Sequence, residues 1–110
     1  MIVYKGKRVS LSVRCVSFFG KFFGLMFSQK EKAPVLLFDF KQSVSYGIHS
    51  FFVRYDFLAV WLNEKNKVIQ IDRVKPWTSY LRPQKKYVRL IEIPINTKHK
   101  NLVQMFGFSG

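Results

Sequence analysis

The chain has 110 residues, the length of one domain, and its balance of 48% hydrophobic to 23% charged residues excludes disorder. Nineteen Lys and Arg against six Asp and Glu give a net charge of +13, a field that attracts RNA, DNA or anionic membrane surfaces, or else only solvates the surface. A lone cysteine, Cys15, excludes an internal disulfide and fits a reducing, cytoplasmic setting, and no run approaches the roughly 18 apolar residues of a membrane span.

Ile2 to Tyr4 reads as a short strand, with Lys5-Gly6-Lys7 turning it back. From Arg8 to Val16 the residues alternate, with Val9, Leu11, Val13 and Cys15 on the predicted buried face and Arg8, Ser10, Ser12 and Arg14 on the wet one. Cys15 is thus expected to be a small buried residue rather than a nucleophile. The period then changes: Phe18, Phe19, Phe22, Phe23 and Met26 lie on one helical face, and Ser17 can cap the start. That aromatic face is expected to pack on a sheet rather than on a membrane. The first 30 residues carry six basic residues and no acid, but Arg14 and Lys21 interrupt the apolar stretch and no small-residue cleavage site follows, so no cleaved leader is expected.

Ala33-Pro34 marks a loop and Val35 to Phe40 a strand. Ile48 to Arg54 and Phe57 to Leu62 read as further strands around Tyr55-Asp56. Asn63 to Asn66 is a turn, and Lys67 to Val74 the return strand of the clearest hairpin. Two prolines, Pro76 and Pro83, punctuate the loop from Lys75 to Lys86, and Tyr87 to Ile93 is the last strand, ending at Pro94. Thr97 can cap a short terminal helix through Leu102, Val103 and Phe106. Many short strands separated by turn signals predict one mainly β domain over residues 1–110, a β-sandwich or distorted barrel with one or two short helices.

Several of these landmarks occur in a recognisable order: Gly24-Leu25-Met26-Phe27, Leu36-Leu37-Phe38-Asp39-Phe40, Ile48-His49-Ser50-Phe51-Phe52-Val53-Arg54, Val60-Trp61-Leu62-Asn63, Lys67-Val68-Ile69, Lys75-Pro76-Trp77 and Ile91-Glu92-Ile93-Pro94. As an ordered set, over about residues 9–97, the chain resembles domain of unknown function family 192 (uncharacterised protein family 0127), particularly its archaeal-type members. The resemblance implies a jelly-roll-like sandwich and no established reaction. The family usually continues from the aromatic-rich strand with proline, a hydrophobic residue and aspartate. Here Asp56, Phe57 and Leu58 stand there, so the acidic group comes two positions earlier, about 6.6 Å along a strand. Asn96 stands where a glycine is usual and is expected to take a left-handed turn conformation.

Two regions carry candidate chemistry. From Arg73 to Arg89 there are six basic residues and no acid, with Trp77, Tyr80 and Tyr87 interleaved among Arg73, Lys75, Arg82, Lys85 and Lys86. Cations can neutralise phosphates while aromatic faces stack on bases, and Arg8 and Arg14 are candidates to extend this surface. In the alternative, Trp77 and Tyr80 fold down over a core edge and the lysines are only solvated. The second region is a pocket expected near His49, Arg54, Asp56 and Trp77, for a small molecule or carbohydrate. His49 is its one candidate base, and Ser50 a poor partner because adjacent strand residues face opposite ways. His49, His99 and Cys15 are too scattered for a metal site, and no phosphate-loop or dinucleotide pattern is present. The sequence therefore predicts a monomeric binding protein without cofactor and assigns no catalytic residue. An anionic ligand such as RNA is the first expectation; the alternatives are the pocket near His49, in a small-molecule or carbohydrate-binding domain or an enzyme, and a structural role with exposed aromatics docking a partner.

Overall fold

The computed structural model describes residues 2–15, 25 and 28–109. The short helix expected after Ser17 and ending near Gly24 lies outside the described residues; Leu25, just beyond it, is buried. Seven strands are described: β1 (Ile2–Tyr4), β2 (Lys7–Val9), β3 (Arg14–Cys15), β4 (Leu36–Val44), β5 (Phe57–Leu62), β6 (Val68–Val74) and β7 (Tyr87–Pro94). A 3-10 turn at Lys30–Lys32 and a helix α1 (Lys100–Met105) complete the elements. β1 and β2 form an antiparallel hairpin, and the other five strands form one sheet in the order β3-β4-β7-β5-β6. Among the pairs of described strands, only β3-β4 is parallel. The sheet is open at β3 and β6 and does not close into a barrel; the protein is mainly β, as the turn-punctuated strands predict.

Alternation along β5 shows how the core is divided. Phe57, Ala59 and Trp61 enter one apolar cluster, while Leu58, Val60 and Leu62 enter a second on the opposite face. All six are buried, because a central strand of a sheet covered on both sides carries apolar residues at every position. The β1-β2 hairpin, residues 9–13 and α1 cover the second face, through Ile2, Leu11, Val13, Val103 and Phe106. Loop residues Ile48, Val53, Tyr55 and Leu81 cover the first.

Turn chemistry accounts for the hairpins. Lys5 and Gly6 have φ of 50° and 76°, the paired positive values that let a two-residue loop follow the strand twist. At the β5-β6 turn the Asn63 Oδ1 accepts the Lys65 and Lys67 amides, and Asn66 takes the left-handed conformation. Midway along β4 the register with β7 slips between Asp39 and Val44; Lys41 has φ of 60° and donates its N–H to Asp39 Oδ1, a local bond that supports a bulge.

Four local expectations are corrected. The stretch Arg8 to Val16 is interrupted, with strand only at Lys7–Val9 and Arg14–Cys15. Cys15 is exposed, because the two-residue β3 is an edge strand. The helix begins three residues after Thr97, at Lys100, without a side-chain cap. Asn96 does not take the left-handed conformation. It is buried, and donates from Nδ2 to the Lys30 carbonyl (2.7 Å) while its Oδ1 accepts the His99 amide (2.9 Å), bonds no glycine supplies.

Candidate functional site

The largest departure from expectation builds the site. Ile48 to Arg54 is not a strand but a loop with one bridge, Ile48 to Leu81. Ser50 joins this loop to the one after β6. Its amide donates to the Thr78 carbonyl (2.9 Å) and its carbonyl accepts the Trp77 amide (3.0 Å). Its hydroxyl donates to the Lys75 carbonyl (2.5 Å) and accepts the Thr78 amide (2.7 Å). Ser50 is fully buried, so these bonds replace ones that water would otherwise make.

Around this latch the aromatic side chains point outward. Among the described residues six large apolar side chains are exposed, and five of them, Tyr46, Phe51, Phe52, Trp77 and Tyr80, belong to the connections that follow β4 and β6. The Trp77 ring lies 4.9 Å from Phe52 and 6.0 Å from Phe51, and Phe51 lies 5.0 Å from His49. Phe52 and Trp77 have φ of 62° and 59°. Left-handed backbone costs a bulky residue on the order of 1 kcal/mol or more, and such strain clusters where function needs a geometry. Trp77 is 57% exposed and Tyr80 62%, so neither folds down as a cover over the core edge. Tyr80 instead lies across Gly47, where a Cβ would fall 2.2 Å from its ring. Gly47→Ala is expected to swing Tyr80 off this seat at a stability cost of about 1 kcal/mol or less, visible as a shift of the Tyr80 ring resonances with a Tm lower by roughly 5 °C at most.

The basic residues sort into two groups. Lys75 and Arg82 are exposed, each two residues from an exposed aromatic, and Lys85 and Lys86 are exposed further along the same loop. Arg89 lies elsewhere: it pairs with Asp39 (3.2 Å) and donates to Asn66 Oδ1 (2.8 Å), lining the opposite face of the sheet with Ile91. Arg8 sits on the hairpin that covers that other face. Tyr87 also leaves the set. Its ring packs 4.7 Å from Trp61, its hydroxyl donates to the Tyr46 carbonyl (2.9 Å), and burial pushes its pKa well up.

The expected pocket comes together only in part. Arg54 and Asp56 share a cleft of about 270 Å³ with Lys30, Tyr55, Arg73 and Pro76. Arg73 Nε is 2.7 Å from Asp56 Oδ2, and its Nη1 donates to the Ser109 carbonyl (2.8 Å). His49 and Trp77 are outside this cleft, on the aromatic face. The exposed His49 accepts the Phe51 amide at Nδ1 (3.2 Å), which orients the ring but gives it no carboxylate partner. Among the described residues no three His, Cys, Asp or Glu side chains come close enough to share a metal ion, and no helix is long and apolar enough to cross a membrane.

One titratable residue escaped the sequence reading. Glu92 lies on β7 with its side chain on the face of Leu90, opposite Ala59 on β5 and Leu36 on β4. It is 6% exposed, and burial pushes its pKa up to about 8. Nearby, burial raises the Tyr55 pKa, the Ser28 hydrogen bond opposes this, and a charge on Glu92 adds to it. The signal was available: Val88, Leu90, Ile91 and Ile93 are apolar at both parities, so both faces of the strand are covered and a carboxyl at position 92 must be buried.

Fold and site together define a small open-sheet β protein that carries an exposed aromatic and cationic loop face. The chain belongs to uncharacterised protein family 0127, UPF0127. A UPF0127 protein of Pyrococcus horikoshii is 30% identical over 101 residues, covering 89% of this chain and 87% of that protein. A second, from Pyrococcus furiosus, is 29% identical over 86 residues, covering 76% and 74%. No model of a known family matches the chain. Among solved structures, a Sinorhizobium meliloti protein provisionally described as a transcription regulator superposes with a TM-score of 0.73 at 17% identity, over 92% of this chain and 81% of that one. A Novosphingobium aromaticivorans protein of unknown function superposes with a TM-score of 0.66 at 13% identity, over 82% and 66%. At these identities the likeness is one of fold.

Proposed function

We propose that the protein is a binding module for single-stranded nucleic acid, RNA in the first instance, engaged through the Phe51, Phe52, Trp77 and Tyr80 face with Lys75, Arg82, Lys85 and Lys86 around it. The supporting observation is the exposed ring cluster, held outward on left-handed backbone at two positions and latched by Ser50. A core aromatic needs none of this, whereas a base needs an exposed ring to stack on, worth about 1–3 kcal/mol per base. The surrounding cations supply the sequence-independent attraction to phosphate.

The two tryptophans allow a direct test. Trp61 is fully buried and Trp77 is exposed, so titration with a single-stranded oligoribonucleotide is expected to quench the red-edge emission of Trp77 and leave that of Trp61. Quenching absent at every oligonucleotide concentration, with Trp77 still exposed, would reject the stacking face.

A further inference from the structure

Beside the aromatic face, the cleft at Arg54 presents a charge pattern that stacking does not use. We infer that this cleft is a subsite for a phosphate monoester, such as the terminal phosphate of a bound strand or of a nucleotide. The inference deepens the nucleic-acid reading and rests on it only for the rest of the ligand. Lys30, Arg54 and Arg73 line the cleft with a single carboxylate, Asp56. Three cations against one anion leave a surplus of two positive charges, the complement of a phosphate monoester, which carries about −1.5 to −2 at pH 7.

The cations are differently committed. Asp56 and the Ser109 carbonyl fix Arg73 in place. Arg54 and Lys30 form no ion pair among the described residues, so their charge is available to a ligand. An orienting carboxylate on one guanidinium and a second guanidinium left open is an arrangement suited to bidentate oxygen recognition. Placement favours a nucleotide over a free anion. Pro76 lines the cleft directly before Trp77, and Arg54 lines it two residues after Phe52. Two of the segments that line the cleft thus run directly into segments that carry the aromatic face. An adjoining hollow of about 290 Å³ shares Lys30 and adds Lys100 and the carboxylate of Glu31.

The test is calorimetric titration with adenosine 5′-monophosphate and with adenosine, and with one oligoribonucleotide bearing either a 5′-phosphate or a 5′-hydroxyl. The native protein is expected to bind the monophosphate at least tenfold more tightly than adenosine, and the 5′-phosphorylated strand more tightly than its hydroxyl form. In Lys30→Gln/Arg54→Gln both preferences should disappear while the 5′-hydroxyl strand binds as before; both side chains are exposed, and circular dichroism checks the fold. Equal affinity of the native protein for phosphorylated and unphosphorylated forms overturns the subsite and leaves the stacking face standing. Monophosphate binding lost in the double variant, with no strand bound at all, keeps the subsite and overturns the nucleic-acid reading.

Discussion

Glu92→Gln is expected to be more stable than the native protein at pH 8, and its stability is expected to be nearly flat between pH 5 and pH 8. Glu92 is buried between β4 and β5 with its folded pKa raised to about 8 from 4.5. In that window the folded protein retains a proton that the unfolded chain has released. Stability is therefore full below about pH 4.5 and falls as pH rises, by about 1.4 kcal/mol per unit, on the order of 4 kcal/mol across the window. The cause is desolvation: a carboxylate among apolar side chains gives up hydration and meets no compensating cation among the described residues. Glutamine keeps the shape and stays neutral throughout. Denaturant midpoints at half-unit pH steps measure both curves. A native stability that is level or rising from pH 5 to 8 would contradict the buried, neutral carboxyl.

Ser50→Ala is expected to cost about 2 kcal/mol and to loosen the aromatic face, weakening ligand binding. The lost hydroxyl donates to the Lys75 carbonyl and accepts the Thr78 amide. The Lys75 carbonyl still accepts the Thr78 hydroxyl at 2.8 Å, but the Thr78 amide is left without its partner, a penalty of about 1–3 kcal/mol. Without the hydroxyl, only the two backbone bonds of residue 50 to Trp77 and Thr78 oppose relaxation of Trp77 out of its left-handed backbone. For a chain of this length the loss corresponds to a Tm lower by roughly 10 °C. Trp77→Ala makes the contrast: the side chain is exposed, so stability should change by less than about 0.5 kcal/mol while binding falls. A Ser50→Ala protein with native Tm and native affinity would show that the latch does not hold the site.

What could be read from the sequence was whatever is decided within a few residues. Phe57 to Leu62, Asn63 to Asn66 and Val68 to Val74 form a hairpin whose period and turn chemistry are local, and the Lys5-Gly6 turn is equally self-contained. Ile48 to Arg54 misled because an apolar run with β-forming residues looks the same whether its aromatics turn inward or outward. Their direction is set by Ser50 bonding to residues 25 to 28 positions away, which no local pattern encodes. The same limit applies to the candidate site. Trp77 and Tyr80 in a basic loop were visible as types, but Phe51 and Phe52 join them only through the latch. Tyr87 and Arg89 leave the set because β7 carries them into the core and to the opposite face. Arg54 and Asp56 were placed together by proximity along the chain, whereas Lys30 and Arg73 reach the same cleft through the fold.

Binding of a labelled single-stranded oligoribonucleotide across a salt series, to the native protein and to Trp77→Ala, tests the stacking face most directly. Polycations bind nucleic acid at low salt without any site, so the slope and the value near physiological salt both matter. The native protein is expected to retain binding near 150 mM salt. Trp77→Ala should lose about tenfold or more with an unchanged slope, and Lys85→Glu/Lys86→Glu should reduce the slope by about 1.4. Binding that vanishes with modest salt and ignores Trp77 would mean that the charge is a solvated surface and that the exposed rings serve something other than nucleic acid.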